Sequence, residues 1–148
     1  MIWYAQQMDN STLRTLNHSA FRLYYHLVIV MKYRHKCLNA PMLQRMEEIS
    51  RDILIKWGGE VVEFGGEADH VHILFEANPT AKLSDLVKNL KSVTARKLRK
   101  EFADHLAPFY WKPYFWNNAY ALISVGGRAN IDTLISYIEN QNDPRKLG

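Results

Sequence analysis

Residues 60–76 read Glu60-Val61-Val62-Glu63-Phe64-Gly65-Gly66-Glu67-Ala68-Asp69-His70-Val71-His72-Ile73-Leu74-Phe75-Glu76. Two short runs rich in β-branched and aromatic residues, 60–64 and 70–76, flank the stretch 65–69, which predicts a hairpin with a glycine-rich loop. On a strand, residues i and i+2 share a face and lie roughly 6.5–7 Å apart. Val71, Ile73 and Phe75 therefore point one way, into a core, and His70 and His72 point the other. Two imidazoles at that spacing are able to converge on one cation. A pair of surface or hydrogen-bonded histidines would look the same in sequence.

The elements on either side of this hairpin decide the architecture. Residues 21–30 (FRLYYHLVIV) form a strand. After the basic run Lys32-Tyr33-Arg34-His35-Lys36, Pro41 suits the first turn of a helix. That helix runs to about Trp57, with Leu43, Met46, Ile49, Ile53 and Trp57 spaced by threes and fours, and Gly58-Gly59 stops it. Beyond the hairpin, a longer helix over 82–105 carries Leu83, Leu86, Leu90, Val93, Leu98 and Phe102 as its apolar stripe. Residues 108–113 (PFYWKP) make an aromatic loop and 120–125 (YALISV) a strand. Gly126-Gly127 breaks the chain before a last helix over 130–140.

The order β-α-β-β-α-β-α is the split βαβ pattern of an α+β, ferredoxin-like (RRM-like) fold. It predicts an antiparallel sheet with helices on one face and an added C-terminal helix. No repeat, low-complexity tract or linker divides the chain, so residues 1–148 read as one domain, with an N-terminal arm over 1–18 and a C-terminal helix and tail over 128–148. Such a fold hosts many functions and does not by itself choose one.

Composition narrows the field. Of the 148 residues, 47% are hydrophobic and 12% aromatic, enough to bury a core and incompatible with a disordered tail. Cys37 is the single cysteine, which excludes an intramolecular disulfide and a cysteine-rich zinc site. No stretch approaches the ~18–20 apolar residues of a membrane span, and the first residues lack a secretory leader pattern. A cytoplasmic domain with no membrane partner is expected. The net charge of +4 comes entirely from 82–105, where Lys82, Lys88, Lys91, Arg96, Lys97, Arg99 and Lys100 face only Asp85, Glu101 and Asp104. That concentration suits either a polyanion partner or a solvated helix face.

The last helix adds Tyr137 and Gln141, four residues apart and on one helical face. Ile131, Leu134, Ile135 and Ile138 form its apolar stripe, with Tyr137 on the flank. Read alone, this pair suits an amphipathic edge and a solvated amide as readily as a catalytic site.

Together the motifs resemble a specific family over residues 19–142: the single-tyrosine HUH transposases of IS200/IS605 insertion sequences. The resemblance is carried by Lys32-Tyr33-Arg34 after the first strand, Asp69-His70-Val71-His72-Ile73-Leu74, the Lys-rich helix, Trp116-Asn117-Asn118-Ala119-Tyr120, Ser124-Val125-Gly126-Gly127 and Tyr137-Ile138-Glu139-Asn140-Gln141. Two departures stand out. Val30-Met31 replaces the common Cys-Pro, and Ala119 replaces a serine. Neither is a catalytic position in the family, so they bear on DNA-sequence preference rather than chemistry.

The resemblance implies an enzyme that cleaves and rejoins single-stranded DNA through a 5′-phosphotyrosine link. It makes Tyr137 the nucleophile and His70, His72 and Gln141 the ligands of Mg²⁺, with Mn²⁺ able to substitute. It implies single-stranded DNA with subterminal hairpins as substrate. It also implies a homodimer in which the tyrosine helix of one subunit is able to complete the site of the other, with Gly126-Gly127 allowing the swing. Asp69 is then either a partner orienting an imidazole or a turn residue of the hairpin. Lys32, Arg34, Lys36, Lys88, Lys91, Arg96 and Arg99 are candidate DNA contacts. Tyr110, Trp111, Phe115 and Trp116 suit either base stacking or packing.

Two other readings use the same fold. A non-enzymatic single-stranded nucleic-acid-binding module would carry two aromatics on central strands where this chain has its histidine pair. A domesticated repeat-associated tyrosine nuclease would share the chemistry, but such relatives have longer chains.

Overall fold

A computed structural model describes residues 14–16, 19–125, 135–136 and 138–140. The first described elements are β1 (Arg14–Leu16), inside the region expected to be an arm, and β2 (Ser19–Phe21), which pair as a small antiparallel ladder; β2 takes Phe21 from the strand expected over 21–30. β3 (Tyr24–Met31) follows, then α1 (Ala40–Lys56), β4 (Glu60–Gly66), β5 (His70–Glu76), α2 (Leu83–Glu101), the short α3 (Ala103–Leu106) and β6 (Trp116–Ser124). Among the described residues, no helix is long and apolar enough to cross a membrane.

The main sheet runs β4-β5-β3-β6, with every neighbouring pair antiparallel. The ferredoxin-like expectation is met: β3 and β5 are central, and from each a helical connection crosses over its neighbour to an edge strand, β4 and β6 respectively. β3 suits that place because Leu27 to Met31 is an unbroken apolar run buried on both faces.

Local signals set the helix limits. The Asn39 side chain accepts from the amide of Met42 at 3.0 Å and caps α1, and Gly58, at φ +77°, takes the left-handed position just past its end. The Trp57 indole donates to Asn89 Oδ1 at 3.1 Å, tying α1 to α2.

Strand parity then divides the core in two. Leu27, Ile29, Met31, Val71, Ile73 and Phe75 face α1 and α2, against Met42, Met46, Leu86, Leu90 and Leu98. Val28, Val30 and Ala121 face the other way and are covered by Ile135 and Ile138 of the C-terminal helical segment. Burying one such isoleucine contributes about 1.5–3 kcal/mol, so these two side chains help seat the segment on the sheet.

Other boundaries also differ from the sequence reading. Gly65 and Gly66 belong to β4 and pair with His72 and Val71, leaving a three-residue connection, Glu67-Ala68-Asp69. Glycine there reflects close approach of neighbouring atoms rather than a loose loop. The helix expected over 82–105 breaks at Phe102 (φ −121°, ψ 33°), and the turned Ala103–Leu106 piece buries Leu106 and brings the His105 ring to the carbonyl of Cys37 at 2.7 Å. β6 starts at Trp116, not 120, because the Trp116 ring is buried with its indole nitrogen donating to Thr94 Oγ1 at 3.0 Å. Tyr137, Gln141, Gly126-Gly127, Ile131 and Leu134 lie outside the described residues.

Candidate active site

β5 carries His70 and His72 on the sheet face that the C-terminal segment covers, opposite Val30 and Val28 of β3 in the ladder. The two rings are 6.4 Å apart between centroids and tilted by 30°. His70 is buried and half-enclosed by its predecessor: its Nδ1 donates to Asp69 Oδ1 at 2.8 Å. That contact places the proton on Nδ1 and leaves Nε2 as the nitrogen with a free lone pair.

The other oxygen of Asp69 is also engaged. Arg34 Nε donates to Oδ2 at 2.9 Å. Burial works against the charged form of Asp69, but the hydrogen bonds from His70 and Arg34, with the guanidinium charge, outweigh it and hold the carboxyl below its ordinary range. The same guanidinium reaches the C-terminal segment, where Nη1 donates to Glu139 Oε2 at 3.1 Å. Arg34 thus joins the histidine corner to the helix that carries the Tyr137 motif.

Arg34 reaches both carboxylates from an unusual turn. Tyr33 and Arg34 have φ of 60° and 56°, a conformation that costs a non-glycine residue about 1–2 kcal/mol. A cleft of about 180 Å³ opens beside it, lined by Lys32, Tyr33, Arg34, Asn117 and Glu139.

His72 sits differently. A Cβ at Gly65 would stand 2.6 Å from its Nε2, so the ring tip lies over the glycine in space that a side chain would need. Its Nδ1 is buried without a hydrogen-bond partner among the described residues. Burial first, then the neighbouring His70, lowers its pKa, while Glu63 and Glu67 pull the other way. The donor set fits a divalent cation: an imidazole backed by a carboxylate, a second imidazole whose ring edge a side chain at position 65 would cover, and Glu67 close by. Glu67, Asp69 and His70 offer ligand atoms within 4.8 Å of one another. With both Asp69 oxygens already engaged, its carboxylate serves the imidazole and the guanidinium.

The sequence-derived candidates separate into groups. His70, His72, Asp69 and Arg34 come together. Lys32 borders the same cleft, its ammonium 5.3 Å from the ring centres of Tyr33 and Tyr114. Lys36, Lys88 and Arg96 are exposed, and α2 packs on the sheet face away from the histidines. Lys91 is half-buried, donates to the carbonyls of Asn117 and Asn118 at 2.8 and 3.0 Å, and is pushed down to about 8 by burial. Arg99 binds the carbonyls of Lys112 and Tyr114. Of the aromatics, Tyr110, Phe115 and Trp116 are buried and Trp111 is 86% exposed. Gly65, Glu67, Glu139 and His26 did not stand out in the sequence. His26 shares strand parity with Val28 and Val30, a signal that becomes readable once the register is known.

Comparison with known proteins identifies the family. Residues 19–141 match the family described as IS200-like transposase. The ISDra2 transposase TnpA of Deinococcus radiodurans is 35% identical over 125 residues, covering 83% of this chain and 86% of the relative. The transposase for insertion sequence element IS200 of Salmonella typhimurium is 29% identical over 136 residues, covering 91% and 87%. A crystal structure of a candidate transposase from Deinococcus radiodurans R1 superposes with a TM-score of 0.71 at 32% identity, covering 86% of this chain and 97% of that one. A REP-associated tyrosine transposase bound to a REP hairpin shares the fold, with a TM-score of 0.51 at 11% identity, covering 91% and 74%. The chain belongs to the IS200-like transposase family.

Proposed function

We propose that this transposase cuts and rejoins single-stranded DNA at the ends of an insertion sequence, with Tyr137 as nucleophile and His70, His72 and Gln141 holding a divalent cation. The observation that carries this reading is the joining of the histidine corner to the tyrosine-motif helix through Arg34, which pairs with Asp69 on one side and Glu139 on the other. The buried isoleucines Ile135 and Ile138 lie on the same sheet face as the two histidines.

The chemistry is consistent at each atom. A phenol with a pKa near ~10 is a weak nucleophile at neutral pH and needs an electrophile made more reactive. A divalent cation, Mg²⁺ with Mn²⁺ able to substitute, supplies Lewis acidity toward a phosphate oxygen, and imidazole and amide donors leave that acidity undamped. The Tyr137 oxygen bonds to phosphorus and gives up its proton. The bond from phosphorus to the 3′ oxygen breaks, leaving a 3′-OH and a 5′-phosphotyrosine. The ester keeps the energy of the broken bond, so a 3′-OH attacking it rejoins DNA without ATP. Asp69 keeps the His70 proton on Nδ1 and Nε2 available. Lys32 at the cleft, and Lys36, Lys88 and Arg96 on exposed surface, are phosphate contacts in this reading, with a subterminal DNA hairpin as partner and a homodimer as working unit.

The deciding experiment incubates the protein with single-stranded DNA from its element's ends, with and without Mg²⁺. A covalent protein–DNA species is expected with metal and is lost in Tyr137→Phe while binding persists. An adduct formed by the Phe variant, or undiminished in EDTA, overturns the reading.

A further inference from the structure

The sheet face that carries His70 and His72 holds a third imidazole. In the ladder Val28 lies opposite His72 and His26 opposite Leu74, so His26 and His72 are diagonal neighbours on adjacent strands. Diagonal side chains lie about 7–8 Å apart at the backbone, within reach of long or aromatic groups.

Two ring nitrogens here are buried without a hydrogen-bond partner among the described residues, and they belong to these two rings: Nε2 of His26 and Nδ1 of His72. A buried polar atom left unpaired costs about 1–3 kcal/mol, so two on neighbouring rings call for a common explanation. A histidine that ligates through one nitrogen is normally oriented by a hydrogen bond from the other. His70 has Asp69 for this purpose. His72 has no carboxylate on its Nδ1, and the orphaned nitrogen on its diagonal neighbour is of the complementary type. The tip of the His72 ring lies over Gly65, where a Cβ would stand 2.6 Å from Nε2, and Nδ1 is not among the ring atoms nearest that glycine.

We propose that His26 is the positioning residue for His72: a single water accepts the Nδ1 proton of His72 and donates to Nε2 of His26, fixing Nε2 of His72 as the ligating atom. A water with two such partners satisfies both orphaned nitrogens at once. Both rings are then neutral and protonated on Nδ1. His26 touches neither substrate nor metal; it acts through the orientation of His72. The proposal rests on the reading of His72 as a ligand, and its first test is independent of that reading.

That test is the side-chain ¹H–¹⁵N spectrum of the metal-free full chain at neutral pH. His72 is expected as the Nδ1-protonated tautomer in wild type. In His26→Leu the spectrum should shift toward the Nε2-protonated form, and His26→Asn, which keeps an acceptor, should restore the wild-type pattern. An Nε2-protonated His72 in wild type overturns the proposal even if the leucine variant fails to fold. So does a His72 tautomer unmoved in a folded His26→Leu. The second test is Mn²⁺ affinity by calorimetry. His26→Leu is expected to weaken it by roughly 10-fold or more, and His26→Asn to stay nearer wild type. Unchanged affinity in a folded His26→Leu overturns the positioning role. Wild-type protein that binds no Mn²⁺ while His72 keeps its tautomer and responds to His26 would overturn the metal reading and leave the His26 contact standing.

Discussion

At the scale of single residues, Gly65 and Lys91 carry the clearest consequences. An alanine methyl at position 65 would lie 2.6 Å from Nε2 and 2.7 Å from Cε1 of His72, closer than any real Cβ contact, so the ring has to swing. Alanine otherwise improves a strand position by about 0.5–1 kcal/mol over glycine, which offsets part of the crowding. Gly65→Ala should therefore change stability by no more than about 1 kcal/mol in chemical denaturation, while DNA cleavage falls roughly 10-fold or more. Wild-type cleavage by a folded variant would show that His72 does not need this seat. Lys91 bears on pH. Burial lowers it from 10.5 to about 8, although its ammonium is held by two carbonyls. The folded value lies below the unfolded one, so between the two the unfolded chain holds more protons and stability rises with pH. Below about 8 the cost of the buried charge is fully present. Wild type should gain on Lys91→Met as pH rises from about 8 to 10.5, with a slope of at most about 1.4 kcal/mol per pH unit. Parallel stability curves for the two proteins would mean that the ammonium is solvated.

At the scale of elements, the turn after β3 does the joining. Arg34 meets Asp69 across 35 positions and Glu139 across 105, two partners of very different exposure. The Asp69 side chain is 8% exposed and Glu139 40%. Removing Arg34 leaves a buried carboxylate with one partner fewer, whereas removing Glu139 loses an exposed pair. Arg34→Gln should cost about 2 kcal/mol and Glu139→Gln less than about 1 kcal/mol in thermal or chemical unfolding. A double-mutant cycle should show coupling, and equal single costs would contradict the ordering. The sequence indicated a basic residue here and suggested DNA, because partners so far away in the chain leave no local trace. What was legible is what repeats locally: alternation on β5, the helical spacing of Met46, Ile49 and Ile53, and the order of elements. What was not legible depends on neighbours from other elements. Gly65 and Gly66 look like loop glycines until β5 is laid beside them, and the Phe102 break answers to the burial of Leu106. His26 reads as one more strand residue until the register places it beside His72.

At the scale of the whole molecule, the seat of the C-terminal segment is built from residues of one sheet face: Val28, Val30 and Ala121 receive Ile135 and Ile138, and Arg34 receives Glu139. Every copy of the chain carries the same seat. A segment that left its own sheet would find identical contacts on a second copy, so an exchange in a dimer would lose no described contact. The barrier is set by the buried isoleucines and the Arg34–Glu139 pair, about 3–6 kcal/mol for the apolar part. Two inactive variants test whether exchange accompanies the reaction. Tyr137→Phe keeps an intact histidine pair, and His70→Ala keeps an intact tyrosine. If a homodimer completes its sites by exchange, mixed dimers contain one site with both intact parts, and covalent DNA adduct should return on mixing to a substantial fraction of the wild-type level. Each variant alone should remain inactive. Arg34→Gln in both partners should speed the return by loosening the seat. A mixture that stays inactive after the subunits have demonstrably re-equilibrated would mean that each tyrosine helix serves only its own sheet.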